Sequence, residues 1–468
     1  MTHLAEPRTI DNDARAAELK AALPGVVHLP GDAAYDTGRA AWNLTAQQRP
    51  AAVALPRTVT EVTQVVRAAA RVGLRVAAQN TGHAAGTLVA RGLHDVVLVR
   101  TTALDGVHVD ATHRTARVEG GALWREVVAA AAPHGLTGLH GSAPHVGVTG
   151  YTLGGGLSFY ARKHGLAATS VLAVEVVTAQ GEVVRADERT NVDLFWAVRG
   201  GGGNFGIVTA LEFRLHPIAE AYAGMLLWDL SRAAEVVRTW AAWCESAPDE
   251  VTTSLRVMRF PPIPELPDFL RGRSLVVIDG AVLADADTAA GHLAPLRALE
   301  PEMDTFGPIP AAGVTEIHMD PVDPTAAVGA GMVLATFDDA AVDAFLDVVG
   351  PGAETPVFIA ELRQLGGAVG RPAAGGGALS HLPGSHAAMF LAMAFTPEMA
   401  ASGAEGCGAV VTALSEWSEG RNFPNFSERP IDPASAYEPE AWERLRRVKA
   451  EVDPTGLFLA NHEIRAEA

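Results

Sequence analysis

The stretch Trp196-Ala-Val-Arg-Gly-Gly-Gly-Gly-Asn-Phe-Gly-Ile-Val-Thr209 decides how this chain is read. It holds Gly-x-Gly-x-x-Gly at Gly201, Gly203 and Gly206, the spacing of a dinucleotide-binding turn. Such a turn has to follow a strand and open a helix. Here the run follows a helix and leads into a strand at Ile207–Leu215, the reverse order, so a nicotinamide Rossmann site is excluded. No P-loop and no Gly-x-Ser-x-Gly elbow occurs either.

Working outward, Ala51–Leu55 reads as a strand and Val59–Val72 as a helix, with Thr58 and Glu61 as a capping box and Val62, Val65, Val66 and Ala69 as the buried stripe. Gly73 stops that helix and Leu74–Ala78 returns as a strand, a βαβ unit. Strands at Asp95–Arg100 and Ala116–Glu119 and a helix at Ala122–Ala132 continue the α/β pattern. Ser170–Ala179 and Glu182–Ala186 form a hairpin about Gly181. Beyond Pro217 the pattern shifts to strands at Thr252–Phe260, Ser274–Leu283, Pro356–Leu362 and Met389–Phe395. Helices at Ala286–Leu299 and Ala340–Val349 lie between them, which predicts an antiparallel sheet with helices on one face. The loops Pro261–Pro267 and Gly370–Gly384 are expected to line a site, and a last helix spans Pro439–Val452.

Composition limits the function. The 468 residues are 48% apolar and 19% charged, a globular balance that suits two to four domains. Thirty-six Lys and Arg against 54 Asp and Glu leave −18, so no nucleic-acid partner is expected. Cys244 and Cys407 make no disulfide framework. The N-terminus carries acids and no apolar core, so no signal peptide is expected. No apolar run approaches the ~18 residues of a membrane span. A cytoplasmic enzyme is the expectation.

The 47 glycines gather in three clusters. Besides the one quoted, Asn80-Thr-Gly-His83-Ala-Ala-Gly86 follows a strand, and glycines there let backbone amides approach a phosphate. Gly141-Ser-Ala-Pro-His-Val-Gly-Val-Thr-Gly-Tyr-Thr-Leu-Gly-Gly-Gly156 holds six glycines in sixteen residues, a chain made to lie against a large ligand. His134, His140, His145 and His164 fit no zinc spacing, so no metal is expected.

Together the three clusters resemble the FAD-binding domain of the vanillyl-alcohol oxidase and p-cresol methylhydroxylase (PCMH) superfamily, in its berberine-bridge-enzyme-like branch. Leu445-x-x-Val-Lys-x-x-x-Asp-Pro-x-x-Leu-Phe458 is similar to that family's closing segment. The resemblance implies an α+β, two-domain FAD-binding oxidase fold. Its FAD domain would span 1–217, with a PCMH-type core over about 46–217. An inserted antiparallel-sheet substrate domain would span 218–410, and a segment over 411–468 would return to the first domain. His83 matches the histidine that bonds the flavin. The second anchor, a cysteine, is replaced by Ala143, so FAD is expected to be covalent through His83 only. Further FAD contacts are implied at Asn80, Thr81, Gly82, Ala84 and Gly86. The second cluster would add Ser142, Ala143, Val146, Gly147, Gly150, Gly154, Gly155 and Gly156. Gly206, Ile207, Val208, Asn425 and Phe426 complete the set.

The resemblance also makes Val146 the residue that admits O2, and places Tyr151 near the ribityl chain and ring as a second catalytic candidate beside Glu361. Glu361-Leu-Arg363 matches the substrate-sheet motif, and its two charged residues share a strand face. Glu361 is therefore read either as the catalytic base or as half of an ion pair. Phe423-Pro-Asn425 lacks the family's tyrosine. His318, His381 and His386 are candidates to supply chemistry in its place, with a surface-loop position the favoured reading for each. The implied function is hydride transfer from a small organic substrate to flavin, with O2 reduced to H2O2. An oxygenating flavoenzyme and a flavin-binding protein without turnover stay open.

Overall fold

The computed structural model describes residues 11–264 and 266–466. The expectation of no leader falls largely on residues 1–10, outside that range. Three sheets organise the chain. The first joins β1 (Val27–His28), β2 (Ala52–Ala54), β3 (Arg75–Gln79) and β4 (Val96–Arg100) in the order β1-β2-β4-β3. β2 and β3 both run parallel to β4, so the helix between them is a parallel crossover.

That helix spans Val59–Val72, and Val62, Val65, Val66 and Ala69 are all fully buried. Thr58 caps it by accepting from the Glu61 amide, and Gly73 closes it at φ 75°. The Glu61 carboxylate takes the Arg57 amide rather than that of Thr58, so the expected box is half formed.

The second sheet corrects the continued α/β reading. β5 (Val107–Asp110), β6 (Thr115–Glu119), β7 (Val171–Val177), β8 (Val183–Asp187) and β9 (Ile207–Arg214) are antiparallel, in the order β5-β6-β9-β7-β8. β6 finds its partner in β9, far along the chain, a pairing that local periodicity does not encode.

The third sheet has eight strands: β10 (Glu220–Asp229), β11 (Val251–Arg259), β12 (Ser274–Val282), β13 (Met303–Asp304), β14 (Gly307–Pro310), β15 (Ala327–Leu334), β16 (Ile359–Gln364) and β17 (His386–Met393). All its pairings are antiparallel. Leu255, Val257, Ile278 and Leu362 pack with the helices Ala233–Ser246, Ala286–Arg297, Asp339–Val349 and Pro397–Ala413 in one core. The period of two then sends Ser254, Arg256, Asp279, Glu361 and Arg363 to the opposite face. The fold is thus α+β.

After the Pro439–Val452 helix the chain returns to the first sheet, where Val76 donates to Leu457 O and accepts from Leu459 N. Among the described residues no helix is long and apolar enough to cross a membrane.

Candidate active site

The polar face of the third sheet looks onto a cavity of about 450 Å³, whose other walls come from the loops after β3, around 141–154 and 200–206. Asn80, Thr81, Gly82, His83 and Ala84 line it where β3 ends. Ser142, Ala143, Val146, Gly147, Gly150, Tyr151 and Gly154 line it from the second cluster, and Gly206 and Val208 from the third. Asn425, Phe426 and Glu361 complete the nominated residues that reach it.

Four nominated residues lie off its wall. A Cβ on Gly86 would meet the Glu428 carbonyl at 3.1 Å. Gly155, at φ +118°, faces Phe423 and Leu379, and Gly156, at φ +75°, packs on Ala167 and the Tyr151 ring. Ile207 is buried in the core beneath the first sheet.

Sequence reading missed Trp42, the run Gly200–Asn204, Asn461 and His462, all of which line the cavity. The third glycine cluster itself was the signal for Gly200–Asn204. The expected lining loops are a correction: among the described residues, none of Pro261–Pro267 or Gly370–Gly384 reaches this cavity. Residues 375–381 border a separate cleft, with Leu379 held against Gly200.

Glycine is required where the walls approach one another. A Cβ on Gly147 would stand 2.6 Å from Asn80 Nδ2, and one on Gly154 2.3 Å from Asn425 Oδ1. At Gly150, Gly202 and Gly203 the space beside the backbone is open. Several buried polar atoms of this wall have no partner within the chain: Trp42 Nε1, His145 Nδ1, Thr149 Oγ1, Tyr151 Oη, Asn425 Oδ1 and His462 Nδ1. Buried groups left so are expected where a ligand completes them. A long, flat, many-acceptor molecule such as FAD fits both the cradle and the donors.

His83 sits in the wall, stacked on Trp42 at 4.4 Å and 12°, with Thr81 Oγ1 2.8 Å from its Nδ1. Burial, then the neighbouring His145, lowers its pKa to about 4, so the imidazole is neutral. Arg363 supplies the one guanidinium among the lining residues, which include no lysine. It is committed to Glu361, with Nε at 2.8 Å and Nη2 at 2.5 Å from Oε1. Both side chains are almost wholly buried. Burial alone would raise the Glu361 carboxyl, but Arg363 and then His318 hold it well below the usual range.

His318 is not on a surface loop: it is 3% exposed, and its Nδ1 lies 2.8 Å from Asp279 Oδ2. Burial and Arg256 oppose its charge, but Asp279, Asp320 and Glu361 outweigh them and push it up to about 9. His386 is likewise buried, on β17 against Trp240, and burial lowers it to about 3. The Tyr151 phenol is pushed up by burial and stays neutral.

These features define an FAD-binding oxidoreductase, and comparison with known proteins agrees. A model of the FAD binding domain matches residues 50–187. The chain is 26% identical to (R)-6-hydroxynicotine oxidase of Paenarthrobacter nicotinovorans over 95% of its own length and 97% of that protein. It is 34% identical to xylooligosaccharide oxidase of Thermothelomyces thermophilus, over 41% of this chain and 39% of the relative. The solved structure of Physcomitrella patens BBE-like 1 superposes with a TM-score of 0.83 at 22% identity, covering 97% of this chain and 99% of that one. The chain carries an FAD binding domain over residues 50–187, and over nearly its whole length it is similar to an FAD-linked oxidase of the berberine-bridge-enzyme-like, PCMH type. It is an FAD-dependent oxidase that takes a small organic substrate and uses O2 as electron acceptor.

Proposed function

We propose that FAD is attached covalently through His83 alone, and that the substrate is a compact, partly apolar alcohol or amine. The observation that carries the attachment is the neutral, stacked His83 imidazole in the cavity wall, with Ala143 where a second, sulfur anchor would have to be. Neutrality leaves a ring lone pair for bond formation, and the Trp42 stack and the Thr81 hydroxyl fix the ring's direction. When bound, FAD supplies the two-electron acceptor for hydride and passes the electrons to O2.

In this reading residues 1–217 and 411–468 hold the cofactor and 218–410 select the substrate. The loops at 80–84, 141–154 and 200–206 cradle FAD through backbone and neutral donors, since Arg363 is already paired. Tyr151 gives a neutral phenol to the ring's surroundings. At the sheet end Ile359, Met389, Leu391 and Phe426 form an apolar sleeve around Glu361, which favours a small substrate over an oligosaccharide. Glu361 Oε2, buried and without a partner in the chain, receives the substrate's proton.

The test is acid or detergent denaturation of the purified protein: flavin stays with the wild-type polypeptide and is released from His83→Ala. Free flavin from the wild type overturns the attachment. Anaerobic bleaching by panels of small alcohols and amines, with recovery in air, tests the substrate class. Labelled oxygen in the product would show oxygenation instead, and neither response would show binding without turnover.

A further inference from the structure

The pair of groups at the sheet end of the cavity carries more than a base. His318 Nδ1 donates to Asp279 Oδ2, which fixes the ring, and its backbone carbonyl accepts from Arg256 Nη1 at 2.9 Å, which fixes the main chain beneath it. Asp279 is itself fixed by Ser254 and Arg256. The second ring nitrogen, Nε2, therefore has one direction. It stands 3.7 Å from Glu361 Oε2 and 3.9 Å from Asp320 Oδ1, too far for a direct hydrogen bond to either. Glu361 Oε1 is taken twice by Arg363, while Oε2 is buried with no partner in the chain. His318 and Glu361 both line the cavity.

We propose that His318 and Glu361 form a clamp for one hydroxyl group of the substrate, Nε2–H donating to the hydroxyl oxygen and Glu361 Oε2 accepting the hydroxyl hydrogen. One oxygen at a usual hydrogen-bond distance of about 2.8 Å from each atom can bridge the 3.7 Å gap. The clamp discriminates by charge. A carboxylate would face Glu361, and an ammonium would face the imidazolium that Asp279, Asp320 and Glu361 maintain against Arg256. An ether satisfies His318 and leaves Glu361 unpaired, which is costly in a buried place. The inference rests on the reading that this end of the cavity receives the substrate, and it narrows that reading to hydroxylated molecules.

The test is isothermal titration of the purified, flavin-loaded protein with phenol and with anisole, which match in ring and differ in the hydroxyl hydrogen. Neither carries a hydride at the substituted carbon, so no turnover is needed. Phenol is expected to bind about tenfold more tightly or better, a ratio that falls towards one in His318→Leu and is partly restored in His318→Gln, which keeps a donor. Equal or undetectable binding of the two probes to the wild type overturns the clamp, whether or not the variants fold. A ratio that survives in His318→Leu overturns it too. Flavin released by acid, or a failed bleaching screen, would overturn the earlier reading and leave this ratio standing.

Discussion

Ionisation state divides the cavity's side chains by task. Glu361 is held as a carboxylate at any working pH, so it is always ready to accept a proton but is weakly basic. Glu361→Gln is expected to slow anaerobic flavin reduction about 10²–10⁴-fold, the range of a lost general base. Normal reduction in a less stable variant would make the carboxylate purely an ion-pair partner. His318 has the opposite bias. Its pKa is raised from 6.5 to about 9, so its charge is complete at neutral pH and is lost as pH rises through that value. Phenol affinity, read by titration across pH 7–9.5, is therefore expected to fall at the alkaline end, and a flat profile speaks against an imidazolium donor. Val146 reaches the cavity from the second glycine cluster. Val146→Leu adds a methylene to that wall and is expected to slow air reoxidation at least about tenfold with flavin reduction nearly intact, as stopped-flow mixing with O2 would show. His83 and Glu361 were legible because each stands in a recognisable run. His318 was not, since it lies in an irregular segment 39 residues from Asp279. The available signal was Asp279 itself, a carboxylate inside Leu275-Val-Val-Ile-Asp-Gly-Ala-Val282 that demands buried partners.

Among the elements, legibility followed locality. The Val59–Val72 and Pro439–Val452 helices match their predicted bounds because cap, stripe and stop are all written within one segment. β15 was missed because Ala-Val-Gly-Ala-Gly-Met-Val-Leu carries two glycines, which argue against a strand. Both answer to close approaches made elsewhere: a Cβ on Gly329 would lie 2.8 Å from Phe390 O, and one on Gly331 2.3 Å from Phe426 O. The Pro439–Val452 helix shows what an element does for the cavity. From its last turn Lys449 Nζ donates to Asp453 Oδ2 at 2.6 Å, to Asn204 O at 2.6 Å and to Phe458 O at 3.1 Å, while Asp453 accepts the Leu457 and Phe458 amides. This buried pair ties the third glycine cluster to the returning segment that brings Asn461 and His462 to the wall. Lys449→Met leaves Asp453 buried without its cation, and is expected to cost about 3–5 kcal/mol in urea unfolding. An unchanged midpoint would remove the pair from the tether.

For the whole molecule, the cavity exists only where the third sheet meets the glycine-rich loops, and polar groups tie that junction at several points. Arg363 reaches from β16 to Leu157 O at 3.5 Å and lies over the rings of Phe159 and Phe426. Asn43 Nδ2 donates to Ala327 O at 3.0 Å and to Glu428 at 3.1 Å. The densest link is Arg162, 5% exposed, whose two terminal guanidinium nitrogens donate to the carbonyls of Ala247, Pro248 and Val251 at 2.8–3.0 Å, just before and within β11. Carbonyl acceptors rather than a carboxylate fix the backbone of β11's start without adding a second charge to the interior. Arg162 does not line the cavity, so its role is to set the sheet's position against the loops. Arg162→Met keeps the stem's volume and removes those bonds. The expected loss is about 3 kcal/mol, from hydrogen bonds to a charged donor offset by the relief of burying it. Covalent flavin content should stay at the wild-type level, because His83 and its loop fold on the first sheet and bear no contact to Arg162. Substrate-dependent bleaching should slow, because the displaced sheet presents Glu361 and, through Asp279, holds His318. The check is to read urea unfolding, acid-precipitable flavin and bleaching rate on the same preparation. Loss of flavin in parallel with bleaching would mean that the two halves of the cavity fold as one unit, with Arg162 supporting both.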